Sequence, residues 1–299
     1  MSRVHVFLVN YNSADQLIEC LKSLRGEPID GVHIVDNFSN VHERERVRKL
    51  SGSHPTIDVL LCDTNVGFGA AHNLAIASAG LAPDDIIWLL NPDTKVGPGT
   101  VSCLVDFMKT GYDIVSPLIL TGNEERPRIW FAGGVLDKHQ VRTEHLGLGS
   151  LWPAGSRVVD GEIESSFITG AAMMMQYATW TRIGGFREAL FLYWEDADLC
   201  ERASTMGFRL GVATNACIWH EVGGSGKTPG MSPTYYYYMQ RNRIWFGRKW
   251  HSRKTILFGS GLRETLALTL RPLRDKGARL SKMTASVKGL LHGATQTPG

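Results

Sequence analysis

Apolar residues recur in short runs along the first half of the chain, each closed by polar residues and followed by a helical stripe. "VHVFLVN" (4–10) predicts a strand. "SADQLIECLKSLR" (13–25) carries Leu17, Ile18, Leu21 and Leu24 at helical spacing behind a Ser cap. "GVHIVDN" (31–37) predicts a second strand, "HERERVRKL" (42–50) a short charged helix and "IDVLLCD" (57–63) a third strand. "GAAHNLAIASAG" (69–80) predicts a small-residue helix, and "DIIWLLNPD" (85–93) a fourth strand. Strands alternating with helices imply an α/β fold with a mostly parallel sheet and right-handed crossovers. In such sheets ligands bind beyond the carboxyl ends of the strands. Here those ends read "NYNS", "DNFS", "DTNVGFG" and "NPDT", polar and all on one rim.

The pattern changes over residues 112–180. "YDIVSPLIL", "RIWFAGGVLD" and "SRVVDGEIESSFITGAAMMM" predict strands joined by Gly-rich turns. "EDADLCERASTMGF" (195–208) then predicts a helix, "RLGVATNACIWH" (209–220) a strand and "EVGGSGKTPGMSP" (221–233) a loop. "TYYYYMQRNRIWFGRKW" and two further helical segments complete the chain. The expected organisation is a nucleotide-binding and catalytic unit over 1–233 and a basic, aromatic-containing helical tail over 234–299.

Charge sharpens that division. The net +3 hides a segment, 241–299, with thirteen Lys or Arg against two acids, +11, so residues 1–240 hold −8. A basic tail on an acidic body points to an anionic partner: a membrane surface, a lipid diphosphate or a nucleic acid. The aromatic and cationic run from Tyr235 fits either a helix packed by its aromatics or a membrane interface. No nucleic-acid module accompanies the tail, so no nucleic acid is expected. The five cysteines lack CxxC spacing, which argues against a disulfide framework and suits a reducing cytoplasm. No apolar run reaches 18 residues, and the N-terminal run is too short for a signal peptide.

Two motifs are decoys. "EVGGSGKT" has Glu221 where a P-loop needs Gly, and Pro229 and Pro233 oppose the helix that should follow. "GFGAAH" places His72 where a dinucleotide fingerprint needs a small residue. The strand ends carry more chemistry, although Asn, Asp and Ser there also serve as helix caps and Asx turns. Asp36 at a strand end suits the imide N–H of a uracil or thymine. The glycines of "NVGFGAAHN" (65–73) permit close backbone approach to a ligand. Asp93, behind Pro92, suits either a turn or a hard oxygen ligand for a divalent cation, which takes one or two carboxylates and completes its shell with phosphate and water. "LYWEDADLCERA" (192–203) holds three acids in four residues. They are either a solvated helix start or the site of a proton acceptor. Asp198 and Arg202 stand at i and i+4, a structural pair.

In order, "VNYNS", "VDNFS", "TNVGFGAAHN", "NPDT", "TGAAMMM", "WEDADLCERA" and "IWHEVGGS" resemble the inverting family 2 glycosyltransferases, most closely their bacterial rhamnosyltransferase-like branch. The resemblance covers about residues 4–245. It implies the GT-A fold, Rossmann-like with a mostly parallel central sheet, here followed by a C-terminal helical extension. It also implies sugar transfer from a nucleotide-sugar, dTDP-rhamnose or a UDP-sugar, to a glycan or polyprenyl-diphosphate-linked acceptor at the inner face of the plasma membrane. On this likeness Val9, Asn10, Tyr11, Asn12, Asp36, Asn37 and Ser39 hold the nucleoside. Asn65, Gly67, Phe68, Gly69, Asn73, Asn91 and Asp93 hold the rest of the donor; apart from the likeness, Arg241 or Arg243 of the aromatic and cationic run is the candidate to reach the nucleotide diphosphate. Asp93 and His220 match metal ligands for Mg²⁺ or Mn²⁺, Asp196 the catalytic base, and Gly170, Trp194 and Glu195 the acceptor side. The chain departs from the family pattern at Asn91, where an acid is usual, and at Phe38 and Asn40 around Ser39. A sugar nucleotidyltransferase is the enzymatic alternative, but "VNYNSADQ" lacks its Gly-rich, basic triphosphate loop. A non-catalytic nucleotide-sugar-binding protein is the other.

Overall fold

The computed structural model describes residues 2–52, 56–123, 125–152, 162–221 and 230–297. The alternation of the first half is present: β1 (Val4–Asn10), α1 (Ala14–Ser23), β2 (Gly31–Asp36), α2 (Val41–Arg48), β3 (Ile57–Leu61), α3 (Phe68–Ser78) and β4 (Ile86–Leu90). Next come β5 (Thr94–Val96), α4 (Thr100–Met108), β6 (Ile114–Thr121), β7 (Arg128–Phe131), β8 (Gly134–Asp137) and β9 (Arg142–His145). Then follow β10 (Glu162–Glu164), β11 (Ala172–Gln176), α5 (Tyr177–Ile183), α6 (Glu195–Thr205) and β12 (Leu210–His220). The tail is α7 (Pro233–Gly247), α8 (Arg253–Phe258), α9 (Leu262–Arg274) and α10 (Arg279–Thr295).

The central sheet runs β10-β12-β6-β11-β4-β1-β2-β3. Strands β3, β2, β1 and β4 are mutually parallel, and β12 is parallel to β6. β11 lies antiparallel between β4 and β6, so those two strands point the same way. The expected mostly parallel sheet is therefore present. Strands β1 and β4 are buried along their whole length, as both-face coverage of a parallel sheet requires. Edge strand β3 alternates between half-buried and exposed positions.

Two predicted strands divide. "RIWFAGGVLD" breaks at Gly133, whose φ of 110° suits glycine; β7 pairs with β6, whereas β8 pairs with β9. "SRVVDGEIESSFITGAAMMM" is not one strand either: β10 adds to β12 at one edge, and β11 lies inside the sheet. Residues 156–161 of that prediction, and 222–229 of the predicted loop, lie outside the described residues. Helix α4 was not predicted.

In the tail, Ser232 caps α7 by accepting from the Tyr235 N–H at 3.0 Å, and Pro233 sits in its first turn. Helix α10 lies along α7 with Gly289 and Gly293 where a side chain would strike backbone or side-chain atoms of α7. Tyr236, Trp245 and Phe246 are buried, and Tyr235, Tyr237 and Tyr238 are half-buried, so much of the aromatic run packs within the protein. Among the described residues no helix is long and apolar enough to cross a membrane.

Candidate active site

The register of the parallel strands assembles the polar rim. β1 and β2 align Asn10 with Asp36, and the Asn10 amide donates to Asp36 Oδ1 at 2.9 Å and to Ser39 Oγ at 3.1 Å. Ser39 N–H donates to Asp36 Oδ2 at 3.1 Å, and Ser39 Oγ accepts from the Asn12 N–H at 2.9 Å. Ser13, read as a helix cap, instead donates its hydroxyl to Asn10 Oδ1. Asp36 is fully buried, with Arg44 Nη1 at 3.7 Å. It therefore organises the floor of this corner, beneath half-exposed Tyr11 and Phe38. Asn12 and Phe38 take φ of 54° and 67°, and Asn12 Oδ1 accepts from Asn40 N–H at 2.9 Å. Val9 closes the buried side of the same strand end.

The loop before α3 is held by amides. Asn37 donates to Asn65 Oδ1 at 3.0 Å and accepts from Val66 N–H at 2.9 Å; Asn65 Oδ1 also accepts from Gly67 N–H. The two glycines serve packing. At Gly67 a Cβ would collide with the Phe191 carbonyl, and at Gly69 it would meet Phe186 at 2.9 Å. Phe68 N–H donates to the Phe191 carbonyl at 2.7 Å. Asn73 is likewise a brace: its amide nitrogen donates to Phe186 O and Glu188 Oε1, and its oxygen accepts from Phe186 N–H.

Asp93 and His220 meet because β5 pairs with β12, aligning His220 with Thr94. His220 Nε2 lies 3.0 Å from Asp93 Oδ1, and its Nδ1 is buried without a partner. The Trp130 ring packs edge-on against the His220 ring at 4.4 Å. Asn91 stands on the adjoining strand end, its N–H bonded to the Ala171 carbonyl. Among the described residues no cluster of three or more His, Cys, Asp or Glu could enclose a metal. One carboxylate and one imidazole on a partly open rim fit a cation that takes the rest of its shell from phosphate and water, and do not fit a closed protein cage.

The three acids that open α6 have three environments. Asp198 is fully buried. Burial pushes its carboxyl up, but Lys249 Nζ at 2.6 Å and Arg202 Nε at 2.8 Å outweigh that and hold it below the usual carboxylate range. Glu195 is buried with Oε2 unpartnered. Burial first, and then the charge of Asp196, push it well above the ordinary range. Asp196 is half-buried and so retains access to solvent. Burial raises it as well, opposed by N–H donors from Gly170 at 3.1 Å and Ala197 at 2.8 Å. Neighbouring buried carboxylates do not both ionise freely. The donors favour charge on Asp196 and leave the proton on Glu195.

The turn into α6 is strained: Phe191, Tyr193 and Trp194 take φ of 65°, 65° and 72°, a conformation held only when the surroundings impose it. Asn242 imposes it from α7. Its buried amide nitrogen lies 2.7–2.9 Å from the carbonyls of Leu190, Leu192 and Tyr193. Arg241 donates to the carbonyls of Ala189 and Leu190 at 2.9 Å and stacks on Trp245 and Tyr238. Arg241 is thus spent on this loop. Arg243 is fully buried among the carbonyls of Gln140, Val141 and Gly261, its pKa lowered to about 10 by burial, and has no exposed face. Trp194 is buried against Phe246 rather than facing the cleft. Gly170 packs against Phe68 and Asp196, joining α3, β11 and α6 at one point.

Sequence reasoning missed Arg44, Trp130, Lys249 and Asn242. Each acts on a residue 8 to 90 positions away in the chain, through a tertiary contact that no local spacing announces; only the polar Gln240–Asn242 stretch inside an aromatic helix hinted at a buried role.

The model of the family described as glycosyl transferase family 2 matches residues 5–207. An N-acetylglucosaminyl-diphospho-decaprenol L-rhamnosyltransferase of Mycobacterium tuberculosis is 24% identical over 245 residues, covering 70% of this chain and 76% of its own. Rhamnosyltransferase WbbL of Escherichia coli K12 is 23% identical over 266 residues, covering 85% and 92%. Among solved structures, GalNAc-T7 with UDP, GalNAc and Mn²⁺ superposes with a TM-score of 0.64 at 16% identity. The match covers 89% of this chain and 51%, about half, of that one.

Proposed function

The chain belongs to glycosyl transferase family 2, and from that premise we propose that it is a metal-dependent inverting glycosyltransferase. The donor is dTDP-rhamnose or a UDP-sugar. The acceptor is a hydroxyl of a glycan or polyprenyl-diphosphate-linked glycan in cell-surface polysaccharide synthesis, reached at the cytoplasmic face of the plasma membrane. The names of the two rhamnosyltransferase relatives support the sugar, and the mycobacterial one supports the lipid diphosphate.

One observation carries the mechanism: among the acids of α6 Glu195, Asp198 and Glu201 are buried and Asp196 is half-buried, held by the Gly170 N–H next to Ala171, whose carbonyl accepts from the Asn91 N–H two residues before Asp93. The acceptor hydroxyl gives its proton to Asp196 while its oxygen bonds to the anomeric carbon, and the bond to the diphosphate breaks on the opposite face. A positioned base of this kind is worth roughly 10² to 10⁴ in rate. Burial makes Asp196 a stronger base than a surface carboxylate, and Gly170 and Ala197 fix its direction. Asp93 and His220 would hold Mg²⁺ or Mn²⁺ against the diphosphate, where the cation's charge stabilises the leaving group. Tyr11, Asn12 and Phe38 offer the exposed surface for the base, over the floor set by Asn10, Asp36 and Ser39. The division at residue 233 belongs to this proposal, with α7 as the part of the second unit that braces the first.

The test is a panel of nucleotide-sugars scored by thermal stabilisation with Mn²⁺, since a ligand that binds only the folded state raises its melting point. The anomeric configuration of the product is then read by NMR. A shift with dTDP-rhamnose or a UDP-sugar, donor turnover and an inverted product are expected. Binding without turnover would mark a non-catalytic binder, and a retained configuration would contradict inversion.

A further inference from the structure

The tail presents leucines on its outside. The buried residues of α9 are Thr265, Leu268 and Pro272, whereas Leu262, Leu266, Leu270 and Leu273 are 36%, 49%, 51% and 49% exposed. At 3.6 residues per turn these four fall within an arc of about 80° on the side away from Leu268. Arg263 and Arg274, both exposed, border that arc on one side, and Arg271 lies further round, donating to the Tyr235 hydroxyl at 3.3 Å. Phe258, 75% exposed, closes α8 just before it, and Leu280, 83% exposed, opens α10 just after it. No described segment covers this strip.

Its charge selects the partner. Residues 241–299 contain only two acids, Glu264 and Asp275. Asp275 is already engaged by Lys282 Nζ at 3.0 Å. A second copy of the chain on this face would bring two cationic surfaces together, which like-charge repulsion opposes. An anionic bilayer satisfies both features at once: leucines enter the boundary between head groups and acyl chains while arginines lie among the phosphates.

We propose that α9 is an in-plane membrane helix that docks the protein on anionic lipid through Leu262, Leu266, Leu270 and Leu273, with Arg263 and Arg274 at the phosphates. This rests on the membrane-side setting of the proposed function and names the surface that meets the lipid. It takes the place of the aromatic run of α7, whose tyrosines are buried or half-buried.

The experiment is flotation of the full chain with vesicles of phosphatidylcholine alone or mixed with phosphatidylglycerol, without donor or acceptor. The wild type should float with the anionic vesicles and lose binding as salt rises. The Leu266→Ser/Leu270→Ser variant and, separately, the Arg263→Gln/Arg274→Gln variant should each bind at least about tenfold more weakly, with unchanged circular dichroism and melting point. A wild type that ignores anionic vesicles, or a folded leucine variant that binds as well as wild type, overturns the proposal. So does a wild-type dimer in sedimentation velocity that the leucine variant converts to monomer, since the face would then belong to a second copy. Transfer to a short soluble acceptor separates the two readings: transfer without flotation overturns the surface alone, and flotation without transfer overturns the activity alone.

Discussion

The Gly170 N–H donates to Asp196 Oδ2 at 3.1 Å, tying the start of β11 to the start of α6. This bond lets Asp196 stay charged while Glu195, buried beside it with an unpartnered oxygen, keeps its proton. A carboxyl whose folded pKa is raised contributes stability that is complete below its unfolded value, near 4.5, and is lost as pH rises through the folded value. Glu195→Gln removes that loss. The variant should equal wild type near pH 4 and melt higher toward pH 8, while retaining transfer. Thermal denaturation across this range checks it; parallel curves would place the charge elsewhere.

Asn242 acts on the reaction through the strained turn. Asn242→Ala takes the side-chain donor from the carbonyls of Leu192 and Tyr193 and leaves that of Leu190 to Arg241 and the Leu192 N–H, and should cost about 1–3 kcal/mol of stability. Because the turn sets the start of α6, kcat should fall about tenfold or more, with the donor KM changing less. Steady-state kinetics below the variant's melting point separate this from simple unfolding, which lowers the active fraction and leaves KM and the pH profile untouched.

Asp198 is the anchor between α6 and Lys249. Its lowered pKa means stability that is present above the unfolded carboxylate value and lost as pH falls through the folded one. Asp198→Asn should destabilise by about 2 kcal/mol. That is less than the roughly 3–5 kcal/mol for breaking a fully buried pair, since Lys249 and Arg202 keep some solvent access. Urea unfolding at pH 7 and pH 3 should show the deficit at the higher pH and its shrinkage at the lower.

Asp93→Ala should weaken Mn²⁺-dependent nucleotide binding by more than the roughly 10- to 100-fold that follows loss of an outer-shell partner. Nucleotide binding without metal should be nearly unchanged. Calorimetry with and without Mn²⁺ reads both values.

The alternating half of the fold was legible because each parallel strand is a continuous apolar run closed by polar residues, as at Val4–Asn10 and Ile86–Leu90. Helix α4 was equally legible and was passed over. Val101, Leu104, Val105 and Met108 recur at helical spacing after Gly97-Pro98-Gly99. The division of "RIWFAGGVLD" depends on which partner each half pairs with, and pairing is a tertiary property. At the site, residue types located the rim, but not which side chains face it. Trp194 and Asp36 look exposed in a motif yet are buried, because the first packs on Phe246 and the second gathers Asn10 and Ser39. Glycines read as room for a ligand make room for Phe186 and Phe191 instead. The roles of Arg241 and Asn242 depend on the tail folding back onto the 189–193 turn, which their spacing does not reveal.

The central claim is that Asp196 takes the acceptor proton. Rapid-quench turnover of Asp196→Asn, alongside donor affinity by calorimetry, tests it most directly. The account predicts transfer slowed by roughly 100- to 10,000-fold with donor affinity within a few-fold of wild type. Wild-type turnover in that variant would contradict it.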